Sequence, residues 1–366
     1  MSVGLINGAA RLLWPRNPGA FRLWLALAVV AHHITRLEFG KAPVLVFFAL
    51  SGYWVHRVWH ARYAKCHAPW LTFVISRWWR VAPLLLLVSG LSLAAHAWCG
   101  DGDWAVILRQ PLAQMSAPFT VLGSGQLATR PVGPAWSLDI EMQFYMLAPL
   151  LMAMVARWRP VIVLGFGYAS FLIALSFGWG IILPAFLIFF LLGMLAAQHD
   201  WRVLSVLGTS GLVLALSMVA LAWALPGHEQ WLGEGGAYTA PFNVALALCL
   251  MPLALASVGL RSDPLDRAMG GMSYLVYLLH WPAVILLRFG GLGQGAAALG
   301  FAIMGLLSLF LWRWFDRPLD RLRAGWVAAQ VGQARCKAGK GVTARLISPK
   351  GAPSIKRDKS ESECRL

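Results

Sequence analysis

One apolar segment near the start of the chain carries two ionisable side chains. It runs from Phe21 to Glu38. Arg22 lies at its beginning and His33 near its end, eleven residues later. On a helix of about 100° per residue this spacing is close to three turns, so both side chains lie on one face, roughly 16 Å apart along the axis. If Arg22 lies at a membrane surface, His33 lies deep in the bilayer, where an ionisable group indicates a functional site.

A pair of arginines follows in the sequence Arg77-Trp78-Trp79-Arg80. Side chains at i and i+3 share a helical face, so Arg77 and Arg80 present two guanidinium groups in one direction. Such a pair is suited to bidentate binding of a phosphate group. The alternative is a cytoplasmic anchor, in which basic and tryptophan side chains hold the end of a span at the interface. We expect the pair in an inner loop, just before the third span.

Two carboxylates open a later apolar segment, in the sequence WSLDIEMQFY. Asp139 and Glu141 are two residues apart, so on a helix they diverge by about 200° and cannot face one pocket. Glu141 lies deeper, and a carboxylate there either pairs with a buried cation or acts as an acid or base. Asp139 is explained by a simpler role, as a charge at a helix N-terminus facing water.

A polar stripe crosses a further apolar segment near residue 277. Ser273, Tyr277 and His280 follow the spacing i, i+4, i+7 and therefore share one helical face. Such a stripe faces the interior of a helix bundle or a cavity. Hydrogen bonding between helices and contact with a substrate both account for it.

Composition identifies the class of protein. Of 366 residues, 59% are hydrophobic and 13% charged, whereas a soluble domain is about one quarter charged. Nineteen tryptophans suit a protein with many membrane–water interfaces. The five cysteines follow no disulfide or metal-site spacing, so we expect unpaired thiols and no metal. We predict an all-α polytopic membrane protein.

Hydropathy predicts ten transmembrane helices, each near the length of about 20 residues that a bilayer requires. The predicted spans are 21–37, 43–60, 80–98, 136–156, 161–178, 181–198, 203–225, 240–260, 271–289 and 295–315. The basic loop residues alternate so that both termini lie in the cytoplasm, by the positive-inside rule. The mixed region 101–135 includes a moderately apolar stretch, 105–122, that suits a re-entrant or interfacial segment.

Of the 31 lysine and arginine residues that give the chain its net charge of +16, nine lie after Trp326. Residues 1–326 form the predicted membrane domain, and residues 327–366 form a basic tail that we expect to be disordered. A tail of this kind is typical of a cytoplasmic end near anionic lipid, and the pattern does not favour nucleic-acid binding.

Six short patterns occur in order between residues 22 and 318. They are Arg22-x10-His33, FFALSGY from Phe47, Arg77-x-x-Arg80, WSLDIEMQFY from Trp136, the Ser273–Pro282 segment with its YLLHWP, and FDRP from Phe315. Together they resemble the acyltransferase-3 family of integral membrane proteins that O-acylate carbohydrates and related molecules. One departure is Gly19-Ala20-Phe21, which stands where the family commonly has Asp-Gly-Leu.

The resemblance assigns expected roles to these residues. Family members take the acyl group from a cytoplasmic acyl-CoA, most often acetyl-CoA, and place it on an extracytoplasmic hydroxyl group of a glycan or glycolipid. His33 is the expected general base, since it alone has the family spacing and its neighbour His32 does not. Glu141 either orients His33 or holds the acceptor.

The remaining predicted site residues form two groups. The cationic ones, expected to bind CoA or line its passage, are Arg22, Arg77 and Arg80; those expected to contact a substrate are Ser273, Tyr277 and His280. Direct transfer and an acyl-histidine intermediate are both compatible with the sequence. The sequence does not distinguish an acetyl group from a succinyl or longer acyl group, and it does not determine the oligomeric state.

Two other functions fit the same residues. A multi-pass transporter of an anionic solute would also place polar groups at mid-membrane and basic groups at the inner mouth, although the sequence shows no inverted repeat. A membrane sensor or scaffold without catalytic activity is the second alternative. The complete set of predicted catalytic and cationic residues favours an enzyme in the cell's inner membrane.

Overall fold

The computed structural model describes residues 15–35, 37–100, 131–179, 182–290 and 294–346. Every regular element within these ranges is a helix. The α-helices are α1 (Pro18–Thr35), α2 (Lys41–Ala61), α3 (Pro69–Cys99), α4 (Trp136–Arg157), α5 (Pro160–Ser176), α6 (Leu187–Gln198), α7 (Ser205–Ala224), α8 (Glu229–Leu232), α9 (Thr239–Val258), α10 (Pro264–Phe289), α11 (Gln294–Leu311) and α12 (Arg317–Leu346). Short 3-10 turns occur at Tyr63–Lys65, Gly133–Ala135 and Leu183–Ala185, and a π-helix at Trp312–Asp316.

Six of the described helical segments are long and apolar enough to cross a membrane. They are Pro69–Cys99, Gly133–Arg157, Ser205–Ala224, Thr239–Val258, Pro264–Arg288 and Leu299–Gly332. This confirms the prediction of an all-α, multi-pass membrane protein. Each of the ten predicted spans overlaps a helix, although the helix within 181–198 begins only at Leu187. The count of ten and the side on which the termini lie stay predictions. Most of the predicted 101–135 re-entrant or interfacial region lies outside the described residues.

Helices α1 and α10 pack side by side and run parallel. A Cβ atom at Gly19 would lie 1.8 Å from the Asp266 carbonyl oxygen, so only glycine allows this approach. The Asp266 carboxylate accepts a hydrogen bond of 2.8 Å from the Ala20 amide and thereby ties the two helix starts together. Fourteen residues further along each helix, the rings of His33 and His280 stack with centroids 5.2 Å apart. Because the two contacts are separated by the same number of residues on α1 and on α10, the two helices stay in register between them.

Helices α2 and α6 approach closely through two glycines. A Cβ atom at Gly52 would lie 2.1 Å from the Phe190 carbonyl oxygen, and one at Gly193 would lie 1.8 Å from the Ala49 carbonyl oxygen. Small residues of this kind let membrane helices bring their backbones together. The contact holds α2 in place with its other face toward α1, α3 and α4.

Helix α3 begins earlier than the sequence predicts. Its first residue is Pro69 rather than residue 80, so Arg77 and Arg80 lie within the helix and not in a preceding loop. Charged and tryptophan side chains lower the hydropathy of this stretch, but they do not interrupt helical backbone hydrogen bonds. Pro69, at the first turn, removes only a donor that has no partner within the helix, which is why the helix can start there.

Helix α12 packs back against α3 and continues to Leu346. The rings of Trp79 and Trp326 lie 6.0 Å apart at this contact. The helix therefore extends into the tail that the sequence predicts as disordered, and residues 347–366 lie outside the described residues. Together, α1, α2, α3, α4 and α10 surround the space described next, with α12 beside it.

Candidate active site

A cavity of about 310 Å³ lies between α1, α2, α3, α4 and α10. Its walls include six of the eight side chains selected from the sequence: Arg22, Arg77, Arg80, Glu141, Ser273 and Tyr277. Three guanidinium groups and one carboxylate therefore face the same space. The described walls carry a net positive charge, which favours an anionic ligand.

Aromatic rings hold two of the three arginines. The Arg22 guanidinium lies 5.5 Å from the ring centroid of Trp54 on α2. Arg77 lies among three rings, 5.1 Å from Phe73, 5.6 Å from Tyr145 and 5.9 Å from Tyr63. Cation–π contacts of this kind keep a guanidinium group in place without neutralising its charge. Both arginines stay cationic toward the cavity.

Arg80 has an acidic partner on α12. Its Nη1 atom lies 3.8 Å from Oδ1 of Asp320, and Asp316 lies near enough to interact with it electrostatically. About 40% of the Arg80 side chain is exposed, against 45% for Asp320. This long contact with an exposed carboxylate leaves Arg80 able to exchange its partner for an incoming anion.

Glu141 lies on the cavity wall beside two hydroxyl groups. The hydroxyl groups of Ser51 and Tyr145, 3.5 Å apart, line the same cavity, and Arg77 and Arg80 interact with the carboxylate electrostatically. Neither a hydrogen bond nor an ion pair joins Glu141 to His33 among the described residues, so Glu141 does not orient that imidazole in this structure. The other expected role, holding the acceptor, stays a prediction.

The predicted role of Asp139 as a water-facing charge is wrong. Its side chain is only 1% exposed, because α4 turns this face inward against its neighbours. Hydropathy alone cannot show this, since a charged residue at a helix start is usually solvated.

His33 and His280 form a second cluster beyond the end of the cavity. Their rings stack at 5.2 Å, and the Trp281 ring meets His33 edge-on at the same distance. Both histidines face the α1–α10 contact, as the spacing predicts for His33 and Arg22 on one face. His280 is 2% exposed, and its Nε2 atom has no hydrogen-bond partner among the described residues. The cluster thus contains a buried imidazole nitrogen that a ligand hydroxyl group would satisfy.

Tyr277 connects the two parts of the site. It lines the cavity, and its ring centroid lies 6.4 Å from that of His280. Its hydroxyl group is 2.7 Å from the Ser137 hydroxyl group and donates a 2.9 Å hydrogen bond to the Pro134 carbonyl oxygen. The polar stripe on α10 therefore faces the bundle interior along its whole length, with Ser273 and Tyr277 at the cavity and His280 at the histidine cluster.

His32 lies against His33, with ring centroids 4.4 Å apart, and has further contacts of its own. Its Nδ1 atom lies 2.6 Å from the Leu37 carbonyl oxygen, and its ring fills the space beside Gly40, where a Cβ atom would lie 2.2 Å from the ring. His32 therefore takes part in packing the turn between α1 and α2.

Three residues of the site were not selected from the sequence. Ser51 and Tyr145 lie inside the short patterns beginning at Phe47 and Trp136, so their position in a pattern was the available signal. Trp54 follows the first of these patterns and resembles any interfacial tryptophan. Its contact with Arg22 depends on how α1 crosses α2, which no local pattern shows.

The helices and the cavity define a multi-pass membrane protein with a buried basic site and a histidine cluster further along the same pair of helices. The chain belongs to the acyltransferase-3 family, whose family model, described as an acyltransferase domain, matches residues 18–316. This range begins with α1 and ends with the π-helix, so it includes every cavity-lining residue and the histidine cluster, and α12 follows it. The protein is a membrane-bound O-acyltransferase, and the resemblance inferred from the short patterns is confirmed.

Two relatives illustrate the range of similarity. The exopolysaccharide production protein ExoZ of Rhizobium meliloti (strain 1021) is 26% identical over 326 residues, covering 82% of this chain and 94% of the relative. The O-acetyltransferase OatA of Staphylococcus aureus (strain NCTC 8325 / PS 47) is 24% identical over 308 residues, covering 73% of this chain and 50% of OatA. This chain therefore spans about half the length of OatA. No solved structure matches it.

Proposed function

We propose that this protein transfers an acetyl group, or a similarly short acyl group, from cytoplasmic acyl-CoA to a hydroxyl group of an extracytoplasmic glycan or glycolipid. The observation that carries the proposal is the basic cavity, in which three guanidinium groups face one carboxylate. Coenzyme A is polyanionic, and such a cavity suits its phosphate groups. The names of the two relatives, an exopolysaccharide production protein and an O-acetyltransferase, favour a glycan acceptor.

The separation of the two clusters suits a long, thin donor. Arg22 and His33 are eleven residues apart on α1, which corresponds to roughly 16 Å along the helix. With the CoA phosphates among the arginines, the pantetheine arm extends past Tyr277 and brings the thioester carbonyl to the histidine cluster. The transmembrane topology that we propose has ten spans with both termini in the cytoplasm, and it places the arginines on the side where acyl-CoA is available.

The proposed reaction uses His33 as the general base. The neutral imidazole takes the proton of the acceptor hydroxyl group as its oxygen attacks the thioester carbonyl carbon. The C–S bond then breaks, the thiolate leaves with the electron pair, and the imidazolium returns the proton to the sulfur. The products are an O-acyl ester and CoA with a free thiol. An acyl-histidine intermediate would divide the same exchange into two steps.

Binding of acetyl-CoA to the purified protein tests the proposal. We expect Arg80→Ala to weaken binding about tenfold or more, because a charge-assisted phosphate contact is lost. Arg80 is a better probe than Arg77, whose three ring contacts make it part of the packing. His33→Ala is expected to retain binding but to lose turnover. Arg159→Ala, an exposed arginine outside the cavity, serves as the control.

Two results would contradict the proposal. One is a natural chain that does not bind acetyl-CoA at all. The other is equal affinity in Arg80→Ala and Arg159→Ala, which would show that the cavity arginines only anchor α3 at the interface.

A further inference from the structure

Helix α12 contributes a charged pair that the short sequence patterns do not include. Asp320 and Arg323 are three residues apart and form an ion pair in which both Nε and Nη2 of Arg323 donate to Oδ1 of Asp320, at 3.1 and 2.6 Å. The same Oδ1 atom lies 3.8 Å from Nη1 of Arg80 in the cavity wall. One carboxylate oxygen is therefore placed between two guanidinium groups and lies much closer to Arg323.

Arg323 is itself anchored to α3. Its Nη1 atom donates a 2.8 Å hydrogen bond to the Ser76 hydroxyl group and lies 3.4 Å from the Tyr63 hydroxyl group. These two hydroxyl groups are 2.7 Å apart. The Arg323 side chain is 13% exposed, against 45% for that of Asp320. The buried arginine is the fixed member of the pair, and the carboxylate is the movable one.

This geometry affects the charge that Arg80 presents to a ligand. A carboxylate in direct contact with Arg80 would neutralise it and compete with a phosphate group for its donors. The hydrogen bonds from Arg323, at 3.1 and 2.6 Å, hold the Asp320 Oδ1 atom 3.8 Å from Nη1 of Arg80. At that distance the carboxylate accepts no hydrogen bond from Arg80, and solvent partly screens the attraction. Asp316 also lies near Arg80, but it has no hydrogen bond to Arg323 among the described residues.

We propose that Arg323 is a positioning residue of the anion site, which restrains Asp320 and so keeps Arg80 available to a phosphate group of the donor. The inference rests on the proposed function, in which the cavity arginines bind the phosphates of acyl-CoA. Arg323 does not touch the ligand and acts through Asp320. Helix α12 is accordingly part of the donor site as well as a support for α3.

A purely structural role for Arg323 predicts different behaviour. If the pair only fastens α12 to α3, removing Arg323 loses the hydrogen bonds to Ser76 and Asp320, and removing Asp320 as well cannot restore them. If Arg323 restrains Asp320, the second change removes the competing carboxylate and restores ligand binding. The double variant therefore distinguishes the two roles, even if the single variant is less stable.

The test measures binding of acetyl-CoA and of inorganic pyrophosphate to the purified full-length protein. Arg323→Met is expected to weaken both by about tenfold, because Asp320 moves onto Arg80. The double variant Asp320→Asn with Arg323→Met is expected to return to within about threefold of the natural chain, and Asp320→Asn alone to bind at least as tightly as the natural chain. Arg321→Met, an exposed arginine on the same helix, is the matched control and should change neither affinity.

The outcomes separate this inference from the proposed function. Pyrophosphate binding with the expected pattern, but no acetyl-CoA binding, would overturn the acyl-CoA donor and retain the role of Arg323. Acetyl-CoA binding that is equal in all variants, or that Asp320→Asn fails to restore in the Arg323→Met background, would overturn the role of Arg323 alone. A natural chain that binds neither probe would overturn both.

Discussion

At the residue scale, two adjacent histidines have rings 4.4 Å apart but different further partners. His33 stacks on His280, whereas His32 contacts the turn that leads to α2. The spacing of eleven residues from Arg22 distinguishes them in the sequence, since residues one apart on a helix diverge by about 100°. The assignment of the general base to His33 is a prediction from that spacing.

We expect His33→Ala to lower acyl transfer by about a hundredfold or more, the usual contribution of a general base. His32→Ala should leave transfer largely intact and lower thermal stability instead, because it removes the contacts beside Leu37 and Gly40. Rates of acyl transfer and melting temperatures of both variants check this. Equal losses of transfer at the two positions would contradict the separation of functions.

The partners of the site residues could be predicted only in part. Arg22 is conspicuous as a charge at the start of an apolar segment and Arg77 and Arg80 as a pair at i and i+3, and the structure brings all three to one cavity. Whether Glu141 meets His33 or the arginines depends on the distance between α4 and α1, which no spacing within a helix specifies. The contribution of α12 was equally invisible, since Asp320 and Arg323 resemble an ordinary surface ion pair.

At the element scale, the close approach of α2 and α6 depends on two glycines, Gly52 and Gly193, which have no side chain to separate the backbones. Apolar run length is sufficient to predict these helices, but it does not show which of them are neighbours. Hydropathy also fails to locate the start of α3, which lies at Pro69 and not at residue 80. A drop in hydropathy marks the membrane boundary, whereas the helix continues beyond it. Gly193 is the best position at which to test the contact, since its Cβ atom would lie 1.8 Å from backbone.

We expect Gly193→Ala to destabilise the protein by about 1–3 kcal/mol, because the backbone of α2 must move to admit the methyl group. The matched control is Gly165→Ala on α5, where nothing lies within 4 Å of the added Cβ atom. Thermal unfolding of both variants in detergent compares the two positions. A Gly193→Ala melting temperature equal to that of the control would show that α2 and α6 do not pack this closely.

At the scale of the whole molecule, two chemically different regions lie along the same pair of helices. The basic cavity lies near the starts of α1 and α10, and the histidine cluster lies further along both helices. The net charge of +16 and its distribution among the loops predict which end faces the cytoplasm. Composition and charge therefore predict the class of protein and its orientation, whereas the arrangement of the two regions depends on the packing of five helices.

Transfer across the membrane tests this account most directly. Inverted membrane vesicles, prepared from cells that make the protein, present the cytoplasmic face outward and retain envelope glycans in their lumen. Acetyl-CoA labelled in its acetyl group is added outside the vesicles, and the label is then sought as an alkali-releasable ester on lumenal glycan. Vesicles from cells that make the His33→Ala variant are the control.

We predict labelled lumenal glycan with the natural chain and none above background with His33→Ala. Label that enters the lumen without forming an ester would contradict the account and indicate a transporter. In a parallel sample, glycan is also added outside the vesicles. Ester found only on that external glycan would also contradict the account, because donor and acceptor would then meet on the same side of the membrane.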